Sequence, residues 1–457
     1  MLLALLFTGA CQYSEISSKG SPEMPPLRLK KGFFRDPADR VVVLHGVNYS
    51  QERKRPPFFD WQTPEHFEAL RGWGFNVVRY LISWDSIEPE RGVIDTAALD
   101  EIERGVRYAF ENRIYVLLDM HQDLFSPLFG GNGMPEWSAL DDPAIANLRK
   151  SGDWFLHYAN EDVSRSFDRF YTDEELQDAF AAAWIRVVER VKRWPNVIGY
   201  DLVNEPWNGT FAPAKFEVSR LLPFYDRLIR RIRTADPDRA IFVEPSPLPC
   251  NAGLPSRLPA PEDRNVVFAP HYYDPWMKAR KPYDGGRLRV NFALGFQKKK
   301  AVEWKSAVFL GEFGANVEQE GALDYLEDIV AVADSMNFAG WTFWNYYPKP
   351  FKHWHNHNIV DREGKGHPVL DRLIRPRPAG LAGVPVKQKF DSTKRTYRLA
   401  WKGPAGVSRI FVPSRHYPDG FRVGLSEGRW SFDPASRILE VTVEGKGRHE
   451  LTIFPGK

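Results

Sequence analysis

The stretch Gly199-Tyr200-Asp201-Leu202-Val203-Asn204-Glu205-Pro206 decides how the rest of this chain is interpreted. An apolar run over residues 196–203 ends in a polar Asn-Glu pair, and Pro206 prevents a simple continuation of the strand. A second apolar run, residues 307–311, leads in the same way into Glu312. Two buried strands that each present one glutamate at the carboxyl end suggest cleavage of a glycosidic bond by paired carboxyls.

The two glutamate-bearing runs belong to a longer series of strand-like runs that alternate with helical patterns. This alternation is typical of an α/β fold with a parallel sheet. Eight strands are predicted, a number that closes a (β/α)8 TIM barrel, whose active sites lie at the carboxyl ends of the strands. The predicted strands are residues 41–48, 75–80, 113–119, 196–203, 239–244, 265–271, 306–312 and 338–344.

Polar side chains stand at the carboxyl ends of these strands, where a barrel would bring them around one opening. Arg79 is expected to keep a nearby carboxylate ionised, and Tyr273 to donate a hydrogen bond to it. Asn204 is suited to bind a sugar hydroxyl beside Glu205. A lone strand-end glutamate is more often a loop salt bridge, but two of them with these neighbours favour catalysis. The full set is Asn48, Arg79, Asp119, His121, Asn204, Glu205, Glu244, His271, Tyr273, Glu312 and Trp344.

The chain divides into three predicted parts. Residues 1–26 form a leader and tether, in which small residues before Cys11 are typical of a bacterial lipoprotein signal. Residues 27–378 form the barrel. Residues 379–457 contain six short alternating runs and are predicted to form a small antiparallel β-sandwich. We therefore expect an exported protein, either secreted or tethered to the cell envelope as a lipoprotein; the alternative is a frayed apolar N-terminus.

Composition narrows the class of protein further. The 457 residues carry a formal net charge of +3, which gives no support for binding nucleic acid. Aromatic residues make up 14% of the chain, which fits a sugar-binding cleft as well as ordinary packing. Apart from Cys11 there is one other cysteine, Cys250, for which a buried, inert thiol is expected. No cofactor is expected, and we predict a monomer.

Two loops stand out by their composition. Residues 122–137 are rich in glycine, proline and aromatic residues and are predicted to form an ordered wall of the cleft. The loop after the sixth strand carries Trp276 and then Lys278, Arg280 and Lys281. These cations could attract anionic head groups at a membrane surface, or they form a solvated basic face.

Several motifs together resemble glycoside hydrolase family 5, a family of retaining barrel glycosidases. They are Asn-Glu-Pro at 204–206, His-Tyr-Tyr at 271–273 and Gly-Glu-Phe-Gly at 311–314. Within that family, Asp-Met-His-Gln-Asp at 119–123 and Trp-Asn-Gly at 207–209 resemble the endoglycoceramidases and related glycosylceramide hydrolases. So do Asn-Ile-Val-Asp at 358–361 and the run 375–380 that leads to the β domain.

The resemblance implies a role for individual residues. It implies that Glu205 is the acid/base and Glu312 the nucleophile. It also implies that Asn204, His121, Asp123, Tyr273 and Trp344 contact the nucleophile or the first sugar. Lys54, in a basic loop without a clear family counterpart, faces either the substrate or solvent.

Two rival classes of site compete with this interpretation. A metal-dependent hydrolase could use His121, Asp123, Glu205, His271 and Glu312 as ligands, but the first strand lacks the His-x-His pair usual in such barrels. His353, His355 and His357 alternate like metal ligands, although polar contacts at the rim of the barrel fit them better. A non-catalytic sugar- or lipid-binding protein is the other rival, and both glutamates argue against it.

The sequence therefore predicts a retaining β-glycosidase that hydrolyses glycosphingolipids between the oligosaccharide and the ceramide. Its partner is a glycolipid or β-glycan substrate, with possible association with a membrane surface. Two other specificities stay open, that of a glucosylceramidase-like exo-enzyme and that of an endo-β-glucanase on soluble polysaccharide.

Overall fold

The computed structural model describes residues 24–50, 54–140, 154–348, 357–361 and 363–456. The predicted leader with Cys11 lies outside the described residues, as do His353 and His355. Within the described ranges, no helix combines the length and the apolar character needed to cross a membrane.

Eight parallel strands close into a barrel, which confirms the predicted (β/α)8 architecture. Each strand pairs with the next, and β8 pairs with β1 to complete the ring. Because the carboxyl ends of all eight strands lie at one end of the barrel, the polar strand-end residues are brought together there. The strands are β1 Leu44–Tyr49, β2 Val77–Ile82, β3 Tyr115–Met120, β4 Val197–Asp201, β5 Ala240–Val243, β6 Val266–Phe268, β7 Ala307–Phe313 and β8 Gly340–Tyr346.

Two predicted strands are divided in the structure, for different backbone reasons. The run 41–48 divides at Val43, where Val41–Val42 joins a small antiparallel sheet with Arg28–Lys30 and Phe33–Arg35. The run 265–271 divides at Pro270, which has no N–H to contribute to the sheet. Beyond it, His271 and Tyr272 pair again with β7, opposite Glu312 and Phe313. This second pairing places His271 beside Glu312.

Helices surround the barrel and begin at recognisable caps. The Asp95 carboxylate accepts from the N–H groups of Ala97 and Ala98 at the start of α2. Asp173 ends α3 and caps α4 by accepting from Leu176 N–H, so the helix predicted from about residue 172 begins at Glu174. The longer helices are α1 Pro64–Trp73, α2 Thr96–Glu111, α3 Glu161–Thr172, α4 Glu174–Val191, α5 Leu222–Arg233, α6 Arg287–Glu303 and α7 Ala322–Ser335; shorter ones are Trp84–Ile87, Pro213–Phe216, Pro247–Cys250, Pro275–Lys278 and Leu370–Leu373.

The loop predicted to be an aromatic wall of the cleft, residues 122–137, packs in a different way. Phe125 and Phe129 are fully buried, and Phe125 packs edge-on against Phe167 of α3 with ring centroids 5.0 Å apart. Polar residues of the same loop face the barrel mouth, where Asp123 pairs with Asn132 across a β-bridge. The aromatic side chains thus form the core of the loop, and its polar residues line the site.

The C-terminal part is a sandwich of two four-stranded antiparallel sheets, as predicted. One sheet has the order β9-β12-β15-β14 and the other the order β10-β11-β16-β13. They share one hydrophobic core that includes Trp401, Leu439 and Ile453. Eight strands replace the six predicted ones; they are β9 Arg377–Gly380, β10 Val384–Asp391, β11 Thr396–Gly403, β12 Gly406–Phe411, β13 Phe421–Leu425, β14 Arg429–Asp433, β15 Ile438–Val443 and β16 Gly447–Pro455.

The segment that leads into the sandwich is fixed to the side of the barrel by buried charges. Arg375, which is fully buried, donates to Asp334 of α7 (2.8 Å) and to Glu327 (2.9 Å). His45 lies 3.4 Å from the same Asp334 and stacks on Trp341 with ring centroids 4.3 Å apart. A buried ion pair with several hydrogen bonds fixes one relative placement of two surfaces more strictly than apolar contact alone.

Candidate active site

Glu205 and Glu312 face each other at the mouth of the barrel. Glu205 follows β4 with φ +43°, a conformation in which a residue other than glycine is strained. Glu312 lies within β7 and is buried. One carboxylate oxygen of each glutamate and one ring nitrogen of His271 lie within 4.8 Å of one another. This separation fits direct attack by one carboxylate, because inverting glycosidases need a wider gap to admit water.

Three neighbours fix the position of Glu205. Its carboxylate accepts from Asn251 Nδ2 (2.6 Å) and from His271 Nδ1 (3.0 Å). Its backbone N–H donates to Glu244 Oε2 (2.8 Å), which stabilises the left-handed backbone at this point. Burial alone would raise the pKa of Glu205, but the hydrogen bond and positive charge of His271 outweigh it and lower the pKa.

His271 carries a proton between the two glutamates. Burial alone would lower its pKa, but Glu244, Glu312 and Glu205 together raise it well above its ordinary value. Its Nε2 lies 3.2 Å from Glu244 Oε1 and its Nδ1 lies 3.6 Å from Glu312 Oε2. The imidazolium therefore holds a proton within hydrogen-bond distance of Glu205.

Glu312 is held by two donors from opposite sides. Arg79 Nη1 donates to its Oε1 (2.8 Å), and the Tyr273 hydroxyl donates to its Oε2 (2.8 Å). Burial raises the pKa of Glu312, and the positive charges of His271 and Arg79 act against that rise. Both donors hydrogen-bond the ionised carboxylate, which is the form a nucleophile needs.

Arg79 is the centre of a buried network. The side chain is fully buried, and its ion pairs are with Asp119 (2.8 Å), Asp201 (2.8 Å), Glu244 (2.7 Å) and Glu312. It also donates to two strand-end amide side chains, Asn48 Oδ1 and Asn204 Oδ1, both at 3.0 Å. One guanidinium thus ties together the ends of β1, β2, β3, β4, β5 and β7.

A second polar cluster lies beside the glutamates. Lys54 Nζ is 2.6 Å from Asp123 Oδ2 and 2.9 Å from His121 Nε2, and it lies over the Trp344 ring at 4.5 Å from the centroid. His121 stacks on Trp344 with centroids 5.5 Å apart, and its Nδ1 donates to Asp119 (2.8 Å). Lys54 therefore faces the site, and the cluster offers charged groups beside a flat ring to a sugar.

The sequence identifies the strand ends that form the site, but it does not identify every residue that holds Glu205 in position. The predicted strand-end residues form one connected network with Lys54 and Asp123 at the barrel mouth, and within it Glu244 contacts Glu205. Asn251, which the sequence does not single out, also contacts Glu205. Gln122 was also missed; its Nε2 donates to the carbonyls of Asn204 (2.9 Å) and Glu205 (3.2 Å). Glu244 can be recognised as a site residue because it ends a predicted strand. Asn251 lies on a long loop after β5, where no sequence pattern marks it.

Two groups of residues that could serve as metal ligands already surround a positively charged side chain. Asp119, Asp201 and Glu244 surround the guanidinium of Arg79. His121 and Asp123 surround the ammonium group of Lys54. A divalent ion placed among either group would be repelled by the resident cation at short range.

A closed (β/α)8 barrel with two facing glutamates, one beside a protonated histidine and the other beside an arginine, is the arrangement of a barrel glycoside hydrolase. The family profile Cellulase (glycosyl hydrolase family 5) matches residues 39–350, and the profile Glycoside hydrolase family 5 C-terminal domain matches residues 375–453. The chain belongs to glycoside hydrolase family 5.

Relatives and solved structures agree with this assignment. Endoglycoceramidase I of Rhodococcus hoagii is 30% identical over 439 residues, covering 89% of this chain and 84% of that protein. Endo-glycoceramidase II from Rhodococcus sp., solved in complex with ganglioside GM3, has a TM-score of 0.81 and 27% identity, covering 94% and 100% of the two chains. The same protein solved as a lactosyl-enzyme intermediate has a TM-score of 0.80 and 28% identity, covering 93% and 100%.

Proposed function

We propose that this glycoside hydrolase cleaves glycosphingolipids between the sugar and the ceramide with retention of anomeric configuration. The observation that carries the proposal is the close approach of Glu205 and Glu312, within the 4.8 Å cluster with His271. Its substrate class rests on similarity to endoglycoceramidases over most of the chain, one of them solved with GM3.

In the first step of the proposed reaction, Glu312 attacks the anomeric carbon and forms a glycosyl ester. The bond to the glycosidic oxygen breaks, and that oxygen takes a proton from Glu205 and leaves as the ceramide hydroxyl. His271 is hydrogen-bonded to Glu205 Oε1, so its proton is available to bring Glu205 into the acid form before this first step.

In the second step, Glu205 acts as a base. It removes a proton from water, whose oxygen attacks the anomeric carbon and releases Glu312 as a carboxylate. The product is the free oligosaccharide with the original configuration.

The substrate contacts are proposed for residues beside the two glutamates. Asn204, whose Oδ1 accepts a hydrogen bond from Arg79, is proposed to bind the 2-hydroxyl. The residues proposed to bind the first sugar are Lys54, Asp123, His121 and Trp344.

The substrate assignment is tested by assaying glucosylceramide, ganglioside GM3 and a soluble β-glucan side by side in detergent. We expect intact oligosaccharide and ceramide from GM3. Cleavage of glucosylceramide alone would indicate the exo specificity, and cleavage of β-glucan alone would refute the lipid assignment. The Glu312→Gln variant is the control, with an expected loss of activity of at least about 10⁴-fold.

The separate roles of the two glutamates are tested with azide and an aryl β-lactoside that has a good leaving group. The Glu205→Ala variant should keep part of its activity, since such a leaving group departs without a proton, and azide should accelerate it to a β-glycosyl azide. The Glu312→Ala variant should give only the α-glycosyl azide. Exchange of these two products would reverse the proposed roles.

The leader supports a proposal about location. We infer that residues 1–26 direct export, and that Cys11 is lipidated, on the basis of the apolar run and the small residues before it. Expression of the full chain with labelled palmitate tests this, with a Cys11→Ser variant as the control. Label in both proteins, or in neither, would refute lipidation of Cys11.

A further inference from the structure

Exposed hydrophobic side chains concentrate on one part of the barrel. More than half of the large hydrophobic residues that are exposed in the described part of the chain lie between residues 248 and 302. Single exposed hydrophobic residues are normal on a protein surface, but a contiguous group marks an interaction site. Six of these residues form a group called the apolar rim, which comprises Leu248, Leu254, Trp276, Leu288, Phe292 and Phe296.

Helix α6 carries half of the apolar rim on its outer face. Leu288, Phe292 and Phe296 are four residues apart, so they lie in one row along the helix. They are exposed by 74%, 67% and 38%, while Val290 and Leu294 are buried against the barrel. A surface helix normally has polar residues opposite its buried face, and α6 departs from that pattern.

The rest of the apolar rim adjoins this helix. The backbone of Gly253, next to Leu254, approaches Ala293 of α6 so closely that a Cβ on Gly253 would lie 2.6 Å from the Ala293 Cβ. The guanidinium of Arg289 on α6 lies 5.8 Å from the centre of the Trp276 ring. Leu254 and Trp276 therefore extend the row on α6 into one surface.

This surface is continuous with the active site. Leu248 and Leu254 each lie three residues from Asn251, whose amide contacts Glu205, and Trp276 lies three residues after Tyr273, whose hydroxyl contacts Glu312. Both loops are joined by a hydrogen bond from Tyr273 N–H to the Asn251 carbonyl (2.8 Å). The two loops that carry Leu248, Leu254 and Trp276 therefore also supply groups that contact both catalytic carboxyls.

Cations accompany the apolar residues. Lys278, Arg280 and Lys281 follow Trp276 and are exposed, and within the described ranges none of them is paired with a carboxylate. Lys278 Nζ lies over the Tyr273 ring at 4.4 Å from its centroid, at the edge of the active site. Tryptophan, leucine and phenylalanine beside lysine and arginine are the side chains that settle at the boundary between lipid head groups and acyl chains.

We infer that the apolar rim docks the enzyme onto the surface of an anionic lipid bilayer, with the active-site mouth facing the membrane. The inference rests on the proposed function, since a substrate anchored by ceramide presents its scissile bond at that surface. The apolar side chains enter the acyl boundary, and the three cations contact anionic head groups. If two copies of this chain met through the apolar rim, the three cations of one copy would face the same three cations of the other and repel them. An anionic bilayer is therefore the better match for this surface.

The docking test uses vesicles that contain no glycolipid, so that binding is measured apart from hydrolysis. Sedimentation of the full chain with phosphatidylcholine–phosphatidylglycerol vesicles is compared for the wild type and for Leu288→Ser/Phe292→Ser. Because two exposed apolar side chains are lost, partitioning should fall about tenfold or more. The matched control is Val384→Ser/Val386→Ser, which removes exposed valines from β10 of the sandwich and should bind like the wild type.

A second variant tests the cations. Arg280→Gln/Lys281→Gln should weaken binding to these vesicles about fivefold per residue, and salt should weaken wild-type binding. On vesicles of phosphatidylcholine alone the same variant should bind like the wild type. Equal binding of all variants to anionic vesicles, or no binding by the wild type, would overturn the inference.

Hydrolysis separates this inference from the proposed function. Each variant should cleave GM3 dispersed in detergent at the wild-type rate and cleave GM3 in vesicles more slowly, in proportion to its loss of binding. If no protein cleaves dispersed GM3, the proposed function fails even where vesicle binding follows the predicted order. A wild-type dimer that the Leu288→Ser/Phe292→Ser variant abolishes would assign the surface to a second copy and refute docking to lipid.

Discussion

At the scale of single residues, Arg79 shows how much of the site depends on one side chain. Arg79→Lys would keep a positive charge but could not reach carboxylates at several strand ends together. We expect the unfolding free energy to fall by about 3–5 kcal/mol and kcat/KM to fall at least about 10³-fold. Urea unfolding and initial rates measure both. Arg190→Lys, in an exposed pair with Asp100, is the control and should change neither.

Replacement of His271 should change the pH dependence of catalysis. Its positive charge acts against the rise in the pKa of Glu312, so His271→Asn should raise that pKa further. The acidic limb of the profile of kcat/KM against pH, where the nucleophile becomes protonated, should therefore move to higher pH. The rate at the optimum should fall about 10²-fold or more, as expected for loss of a proton donor. An acidic limb that stays in place would show that His271 does not act on Glu312.

Lys54 gives a prediction about sugar binding. Its ammonium group contacts His121, Asp123 and the Trp344 ring but neither glutamate, so Lys54→Met should remove substrate contacts and leave the acid/base pair intact. We expect kcat/KM on an aryl β-lactoside to fall about 10–100-fold, since one charge-assisted contact is lost. The melting temperature should change little. An unchanged kcat/KM would show that Lys54 does not contact the sugar.

The residues of the site were predictable to the extent that they end strands. Asn204, Glu205 and Glu312 interrupt apolar runs, and such an interruption can be recognised from the sequence alone. Asn251 could not be found in this way, because its contact with Glu205 depends on the path of a long loop with few regular elements.

At the scale of elements, the loop of residues 122–137 is held by a close backbone approach. A Cβ on Gly131 would lie 1.8 Å from the carbonyl oxygen of Asp123, so Gly131→Ala must separate the two arms of the loop. Because Asp123 contacts Lys54 and Asn132, we expect kcat/KM to fall about tenfold or more and the unfolding free energy to fall by about 1–3 kcal/mol. In the control Gly72→Ala, the new methyl group meets nothing within 4 Å.

Strand prediction succeeded in the barrel and was incomplete in the sandwich, for one physical reason. Barrel strands such as β7 are buried along their whole length and are marked by continuous apolar runs. Strand β14 lies at a sheet edge with most of its residues exposed, so burial imposes almost no pattern on it. Strand β9 is hidden in the sequence because it is short and contains Pro378, so it resembles a linker.

At the scale of the whole molecule, acid should lower the stability of the fold through the buried cluster of His45, Asp334 and Arg375. Burial lowers the pKa of His45 to about 4, against the opposing effect of Asp334, so His45 is neutral at pH 7. The unfolded chain binds this proton near pH 6.5 and the folded chain only near pH 4, so stability falls as pH drops between these values. The loss amounts to about 3 kcal/mol.

His416, in the loop after β12, should also make the folded state less stable as the pH falls. Burial lowers its pKa to about 4, and its Nε2 lies 2.8 Å from the Ile374 carbonyl. Urea unfolding at several pH values should show the decline for the wild type and a shallower decline for His45→Asn, which does not titrate. Equal slopes for both proteins would exclude His45 as a source of acid sensitivity.

The shared guanidinium of Arg79 also has an evolutionary consequence. Six strand ends depend on the same side chain, so a substitution at any one of them alters the environment of the others. Effects of paired substitutions around Arg79 will then be non-additive, and each position will accept new residues only in certain backgrounds. The apolar rim has no such common partner, so the surface that selects where the enzyme works can diverge while the chemistry stays fixed.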